Sequence, residues 1–394
     1  MVCWGLVILL PGFSCRRHLS LPDGPGDRRE WPVVTGELSG RGFSPERLSF
    51  PLDLRWKART RGPVVASPVV IGDLVCVGTL GKRFYILSAA DGRRYGAMKT
   101  DAGISAAAAA GEGCVYLATE AGEGVVSALD LRSGAVRWRM TAGDVSADLI
   151  YHQGSLLVST GRGEVFCLSA KDGSRRWRFS TYGMRTTAAA VSGGLAVFGC
   201  DDGVLYALGI EDGVERWSRK LEGAVWARPA IDAGRIYAGT FGGSLCCLAA
   251  DDGRTIWRKE LEGGITRPPA VGDETVFVGT DRGLLAAVDR QGGQLQWEHR
   301  LADARPGSPL ATPEALFVGG SDGRLTALSV ETGDPLWSHQ AGRAIVSAPV
   351  IRDGRLYIGS MDGHLYAFAA ADAKAVSTTS AGVEPADDNG ALNP

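Results

Sequence analysis

The sequence predicts an all-β fold, an eight-bladed β-propeller with four antiparallel strands in each blade. Two observations support this prediction. A repeat of about forty residues fills most of the chain, and its last copy lacks a final strand that is present near the N-terminus. The periodicity of amphipathic helices is absent from the repeats. Four short strands in forty residues are typical of a propeller blade.

Each repeat contains three short apolar runs, followed by a fourth run around an aromatic residue. In one copy these runs lie in residues 228–231, 235–239 and 243–248, and the aromatic residue is Trp257. Asp-Gly, Gly-Gly and Thr-Gly pairs separate the runs, as expected for tight turns between strands. Glycine supplies the positive φ that such turns require.

A closing aromatic residue ends each repeat, and successive ones are 39 to 43 residues apart. Eight of them imply eight blades. We expect each ring to pack between adjacent blades and each indole N–H to bond to backbone, so their role is structural. They are Trp56, Tyr95, Trp138, Trp177, Trp217, Trp257, Trp297 and Trp337.

The two ends of the repeated region predict how the ring closes. The last copy runs from Pro349 to Phe368, but Ser377 stands where its closing Trp is expected. The segment from Leu52 to Trp56 has a closing Trp but no three strands before it. The N-terminal strand should therefore complete the last blade and cover the edges of its sheet.

The remaining segments define the domain organisation. Residues 1–15 contain a short apolar run that ends at Cys15, which is typical of a signal or lipoprotein segment with Cys15 as the lipidation candidate. We interpret residues 16–48 as a linker, 49–372 as the propeller and 373–394 as a disordered tail. The segment 1–15 predicts export to the cell envelope, that is, to the periplasm or the outer membrane. A cytoplasmic location is the alternative.

Composition excludes several classes of protein. The chain is 45% hydrophobic and 22% charged, which excludes disorder of the whole chain. Its formal charge of −2 gives no global basic field, so nucleic acid is not an expected partner. No apolar stretch is long enough for an ordinary membrane span, so membrane contact is expected only through a lipid anchor. The spacing of Cys and His indicates no metal site.

The repeat pattern G-x-[LV]-x-A-L-x-x-x-[DT]-G-x-x-x-W, which covers about residues 50–370, resembles the PQQ-like β-propeller family (PQQ is pyrroloquinoline quinone). This family includes quinoprotein dehydrogenases, the outer-membrane protein assembly lipoprotein BamB and sensor propellers. Length, blade count and the N-terminal segment are most similar to BamB. That resemblance implies a monomeric, non-catalytic scaffold that binds a partner protein at one mouth of the propeller.

The resemblance also implies where the partner binds. In BamB proteins a binding loop follows the fourth closing Trp and presents apolar residues and an Arg. Here Trp177 is the fourth closing aromatic, and Tyr182, Met184 and Arg185 follow it at matching positions.

The residues themselves suggest more of this mouth. Five arginines lie at or just before the first strand of blades four to eight, and they could form a positive funnel inside an acidic rim of turn aspartates. An ordinary solvated face of mixed charge is the alternative. Trp226 lies two residues before one of them and would act as a binding anchor or as a plug of the channel. The arginines are Arg185, Arg228, Arg267, Arg305 and Arg343, and the aspartates are Asp201, Asp202, Asp281, Asp322 and Asp362.

A PQQ-dependent dehydrogenase or cofactor-binding protein is the enzymatic alternative, and a ligand-sensing propeller is another. A quinone enzyme needs Ca²⁺ with hard oxygen ligands and a carboxylate base, and many carry a disulfide between adjacent cysteines. Cys246 and Cys247 are adjacent, but Cys247 occupies a position that other repeats fill with Ala, which indicates a small buried side chain. We therefore predict no catalytic residue, no cofactor and no enzymatic activity.

Overall fold

A computed structural model describes residues 38–120, 124–145, 147–301 and 304–371 of the chain, and it confirms the predicted all-β architecture. Eight sheets of four antiparallel strands form the blades. Among these residues no helix is long and apolar enough to cross a membrane. Cys15, the predicted lipoprotein segment and the predicted tail 373–394 lie outside the described residues.

The strands, in chain order, are β1 Leu52–Arg59, β2 Val69–Ile71, β3 Leu74–Thr79, β4 Arg83–Ser88, β5 Arg94–Lys99, β6 Ala109–Gly111, β7 Cys114–Ala118, β8 Val125–Asp130, β9 Val136–Thr141, β10 Ile150–His152, β11 Ser155–Ser159, β12 Glu164–Ser169, β13 Arg175–Ser180, β14 Ala190–Ser192, β15 Leu195–Gly199, β16 Val204–Gly209, β17 Glu215–Lys220, β18 Ala230–Asp232, β19 Arg235–Gly239, β20 Ser244–Ala249, β21 Thr255–Glu260, β22 Ala270–Val271, β23 Thr275–Gly279, β24 Leu284–Asp289, β25 Leu295–Arg300, β26 Leu310–Ala311, β27 Ala315–Gly319, β28 Arg324–Ser329, β29 Pro335–Gln340, β30 Val350–Arg352, β31 Arg355–Ser360 and β32 His364–Ala370.

Blades 1 to 7 each take four consecutive strands, from β2–β5 to β26–β29, and blade 8 combines β30, β31 and β32 with β1. β1 pairs with β32 in antiparallel register, from Leu52 opposite Ala370 to Arg59 opposite His364. The prediction that the N-terminal strand completes the last blade is therefore confirmed. The ring is held closed by strand pairing between residues more than 300 positions apart.

The first strands of neighbouring blades contact each other, so they line the central channel. Two-residue turns connect several first strands to the second strands. At Glu112 and Gly113, φ is 51° and 72°. Such turns match the right-handed twist of the paired strands.

The hydrophobic core lies between blades rather than inside any one of them. Each blade contributes alternate side chains to its two neighbours, because successive residues of a strand point to opposite faces of the sheet. Tyr237 and Leu245 of blade 5, for example, pack with Val276 and Val278 of blade 6, and all four side chains are buried.

Antiparallel strand order defines two faces of the ring. The turns between second and third strands and the connections between blades lie on one face, which we call the connection face. The turns from first to second and from third to fourth strands lie on the opposite face, the hairpin face.

Residues 38–48, at the end of the predicted linker, pack against the ring. The inner strands of blades 4, 5, 6 and 7 each donate one N–H to this segment, in order along the chain. The four bonds are Val191 to Leu38, Ile231 to Ser39, Val271 to Arg41 and Ala311 to Gly42, with N···O distances of 2.6 to 2.8 Å. The segment then reaches the hairpin face, where the Glu46 carboxylate accepts the N–H groups of Asp353 and Gly354.

Candidate functional site

The connection from blade 3 to blade 4 presents the residues predicted to bind a partner. Tyr182 is 100% exposed and Met184 is 68% exposed, and Arg185 beside them is exposed too. A cluster of large apolar side chains that are exposed to water often marks a binding site. The base of this loop is nevertheless fixed. The Thr181 hydroxyl donates to the Gly163 carbonyl at 2.9 Å, and the Met184 N–H donates to the Asp201 carboxylate at 2.8 Å.

Gly183 is required for the shape of this loop. A Cβ at this position would lie 2.3 Å from the Asp201 Oδ1 atom and 2.5 Å from the Cys200 Sγ atom. Both atoms belong to the turn between the second and third strands of blade 4. The close approach of this glycine lets the turn support the loop from below, so Tyr182, Met184 and Arg185 project from a supported base.

Trp226 lies on the next connection, from blade 4 to blade 5, and it is 39% exposed. Its ring contacts Phe241, which is 45% exposed, with ring centroids 4.3 Å apart. Phe241 was absent from the residues predicted from sequence. Its signal was present nonetheless, since this turn position holds Asp in blades 4 and 6 and an aromatic residue only in blade 5.

Backbone bonds join these two connections into one surface. The Val225 N–H donates to the Cys200 carbonyl at 3.0 Å, and the Phe241 N–H donates to the Ala224 carbonyl at 2.8 Å. The Cys200 turn also supports the Met184 loop. We call the surface formed by Tyr182, Met184, Arg185, Trp226 and Phe241 the docking patch.

The predicted arginine funnel separates into two groups. Arg185, Arg305 and Arg343 are exposed on the connection face. Arg228 is turned into the ring instead, and donates to the Ala189 carbonyl at 3.1 Å and the Leu38 carbonyl at 2.9 Å. Its guanidinium therefore helps to hold the segment that lies in the channel.

Arg267 is partly buried, and desolvation lowers the pKa of its guanidinium below the ordinary value. Its side chain makes no hydrogen bond or ion pair within the described ranges. Thus two of the six residues predicted at the binding mouth, Arg228 and Arg267, are only partly exposed and are not part of the docking patch.

Three of the five aspartates of the predicted acidic rim hold the connections in place. Asp201, Asp281 and Asp362 each accept a backbone N–H from the adjoining connection, at 2.8 to 3.0 Å. Burial alone would raise the pKa of Asp362, but hydrogen bonds from Tyr366, Gly342 and His364 outweigh it and lower the pKa overall. These carboxylates are therefore bonded within the fold rather than left free for a ligand.

Seven of the eight closing aromatics join neighbouring blades. Each Trp indole donates its N–H to a backbone carbonyl of the next blade at 2.9 to 3.1 Å. The pairs are Trp56 with Ala89, Trp138 with Ala170, Trp177 with Ile210, Trp217 with Ala250, Trp257 with Arg290, Trp297 with Val330 and Trp337 with Leu52. Tyr95 has no indole N–H, and its ring packs between blades 1 and 2 without this bond.

The described residues do not fit a calcium–quinone site. They contain no group of three or more His, Cys, Asp or Glu side chains that could hold a metal ion. Cys246 and Cys247 are free thiols in two different inter-blade clusters, on opposite faces of blade 5. Burial raises the pKa of each to about 11, so neither is a reactive thiolate at neutral pH.

Comparison with known proteins places this fold among similar propellers. The sequence model of a family described as outer membrane protein assembly factor BamB matches residues 122–224 and 281–387, more than half of the chain. No curated protein matches the sequence significantly.

Several solved structures share the fold. BamB from Moraxella catarrhalis is 20% identical with a TM-score of 0.72, and the match covers 81% of this chain and 100% of that one. A quinohemoprotein alcohol dehydrogenase from Comamonas testosteroni is 16% identical with a TM-score of 0.73, covering 89% and 83%. Sqt1 from Saccharomyces cerevisiae is 12% identical with a TM-score of 0.70, covering 81% and 99%. At these identities the likeness concerns the fold alone.

Proposed function

Because this chain belongs to the PQQ-like β-propeller family of the outer membrane protein assembly factor BamB, we propose that it is a non-catalytic scaffold that binds a partner protein. The partner would dock as a segment on the docking patch of the connection face. We further propose a place in the bacterial envelope, with membrane contact through a lipid on Cys15. The intact mass of protein from the native membrane fraction tests that placement, since a lipidated chain starting at Cys15 has a distinct mass.

The proposal rests on the exposure of large side chains on a loop whose base is fixed by hydrogen bonds. Trp, Tyr and Arg dominate the binding energy of protein interfaces, and Met adapts to irregular partner surfaces. The docking patch combines all four types with Phe241. Because the loop and the turn beneath it are already bonded to each other, binding would order few additional groups.

The composition of the patch also suggests the chemistry of the partner segment. Tyr182, Met184 and the Trp226–Phe241 pair offer apolar contacts, and the exposed Arg185 guanidinium can pair with a carboxylate. A segment with apolar residues beside an Asp or Glu would fit. We propose that the scaffold itself is a monomer and that nucleic acid is not a partner.

The enzymatic alternative has weaker support. Quinoprotein dehydrogenases share the fold, but the described residues of this chain do not supply their metal ligands or a disulfide between adjacent cysteines. A ligand-sensing role remains compatible with the fold, and the docking patch gives it no particular support.

The test is affinity purification from the native host after cross-linking, with wild-type protein and single variants. Arg185→Glu reverses the charge of the patch, and Met184→Glu places a charge among its apolar residues. We expect each to reduce recovery of the principal partner by about tenfold or more, since interface residues of this kind commonly contribute 2 kcal/mol or more.

Arg305→Glu is the matched control, because Arg305 holds the same position as Arg185 in the repeat but lies three blades away. It should leave recovery unchanged, and all three variants should keep the thermal midpoint of the wild type. Equal recovery with wild type and Arg185→Glu would contradict the proposal.

A further inference from the structure

A cleft of about 760 Å³ lies at the seam of the ring, where the closing strand β1 of blade 8 meets blade 1. Four arginines line it: Arg59, Arg61, Arg94 and Arg343. Asp362 is the only carboxylate among the lining residues. The cleft is separated by several blades from the docking patch on blades 4 and 5.

Two of these arginines, Arg59 of β1 and Arg94 of β5, lie on fourth strands. In blades 2 to 6 a fourth-strand arginine forms an ion pair with a nearby carboxylate. The pairs are Arg137 with Asp130, Arg178 with Glu164, Arg216 with Asp212, Arg258 with Glu222 and Arg300 with Glu262. The four cleft side chains are exposed and form no ion pair or hydrogen bond with any described residue.

Asp362 does not compensate this charge by pairing with a cleft arginine. Its carboxylate accepts the backbone N–H groups of Gly342 and His364, each at 3.0 Å, and the Tyr366 hydroxyl. The lining therefore carries four positive charges and one negative charge that is already bonded within blade 8.

The sequence around the seam has the same imbalance. Residues 51–100 contain nine Lys or Arg and three Asp or Glu, whereas the whole chain has 42 basic and 44 acidic residues. A concave surface lined by one sign of charge concentrates the electrostatic potential. This sector is therefore positive on a molecule that is negative overall.

We propose that this seam cleft binds a phosphorylated ligand that carries two or more phosphoryl groups. Guanidinium groups bind phosphate oxygens in a bidentate geometry, and these pairs are among the strongest hydrogen bonds in proteins. A single carboxylate would neutralise only part of the cleft charge, and one inorganic phosphate would occupy only part of its volume. Either a soluble bisphosphate or the head group of a phosphorylated lipid supplies this chemistry.

The test is isothermal titration calorimetry of the full chain with inorganic pyrophosphate as the probe. The wild type should bind pyrophosphate more tightly than inorganic phosphate. Arg59→Gln and Arg94→Gln should each weaken pyrophosphate binding by about tenfold, as expected for the loss of one charged hydrogen-bonding group.

Arg175→Gln is the matched control. Arg175 is the first residue of β13, as Arg94 is of β5, and it is exposed but lies in blade 3. This variant should bind pyrophosphate as the wild type does. The thermal midpoint of each variant shows whether the fold is intact.

Sedimentation with phosphatidylcholine vesicles, with and without cardiolipin, whose head group carries two phosphates, then separates the two sources of the ligand. Binding to the acidic vesicles that Arg94→Gln abolishes would assign the site to a lipid head group, and pyrophosphate binding without vesicle binding would assign it to a soluble ligand. The proposal is overturned if the wild type does not bind pyrophosphate, or if Arg175→Gln weakens binding as much as Arg94→Gln.

Discussion

His339 shows how the surroundings of one side chain make its charge depend on the fold. Its ring stacks on Trp337 and contacts the ring of Phe368 edge-on, with centroids 6.3 and 4.8 Å away. Burial lowers the pKa of His339 below its ordinary 6.5, and the positive charge of Lys57 lowers it further. The folded state therefore favours the neutral imidazole.

This arrangement predicts a loss of stability in mild acid. Because the unfolded chain takes up a proton near pH 6.5 and the folded chain resists it, the free energy of unfolding should fall as pH drops from 7 towards 5.5. His339→Phe keeps an aromatic ring but cannot titrate, so its stability should change less over the same interval. Urea denaturation of both proteins at the two pH values measures this difference, and equal changes would contradict it.

Single residues also mark the limit of sequence reasoning. The repeat register correctly located the connection that holds Tyr182, Met184 and Arg185, but register gives only the position of a residue along a strand or connection. It does not give the direction of a long side chain. Arg228 turns towards Leu38 because the channel holds a segment whose path the repeat does not encode.

At the scale of the blade, one joint recurs around the ring. A closing Trp donates its N–H to the next blade, and its ring packs against a glycine in the turn between third and fourth strands of that blade. A Cβ on Gly293 would lie 2.8 Å from the ring of Trp257, which explains the glycine at this position. Because the joint uses local motifs at fixed spacing, the sequence alone predicted the blades, their number and the inter-blade place of the aromatic rings.

The joint between blades 1 and 2 lacks the indole hydrogen bond, so a substitution that adds this bond should stabilise the fold. Tyr95 cannot make the indole bond, although Leu131 occupies the position of the acceptor residues in the other blades. Tyr95→Trp should add a bond to the Leu131 carbonyl and raise the free energy of unfolding by roughly 1 kcal/mol. Guanidinium denaturation measures the change.

The reverse substitution at an intact joint is the control for Tyr95→Trp. Trp138→Tyr removes the bond to the Ala170 carbonyl, so it should lower the free energy of unfolding by a similar or larger amount. A Tyr95→Trp protein that is no more stable than the wild type would show that the indole bond does not limit the strength of this joint.

At the scale of the whole molecule, the N-terminal region has two separate structural roles. β1 supplies the fourth strand of blade 8, and its Leu52 carbonyl accepts the indole N–H of Trp337 in blade 7. Residues 38–48 satisfy inner-edge N–H groups of four blades, and Leu48 is buried against blades 7 and 8. The unpaired last copy of the repeat predicted the first role. Nothing in the repeat predicted the second, since Gly-rich and Arg-rich composition is typical of a linker.

Two truncations separate these roles. A chain that starts at residue 51 keeps β1 but loses the channel segment, so four N–H groups lose partners worth roughly 1 kcal/mol each. It should remain a soluble monomer with a lower denaturation midpoint.

A chain that starts at residue 61 also loses β1, which exposes the edge of β32 and leaves the Trp337 N–H without its acceptor. An open edge of this kind pairs with other chains, so this protein should form oligomers or aggregate. Size-exclusion chromatography and thermal denaturation of the two chains measure the difference. If the shorter chain were as monomeric and as stable as the longer one, strand pairing between β1 and β32 would not be what closes the ring.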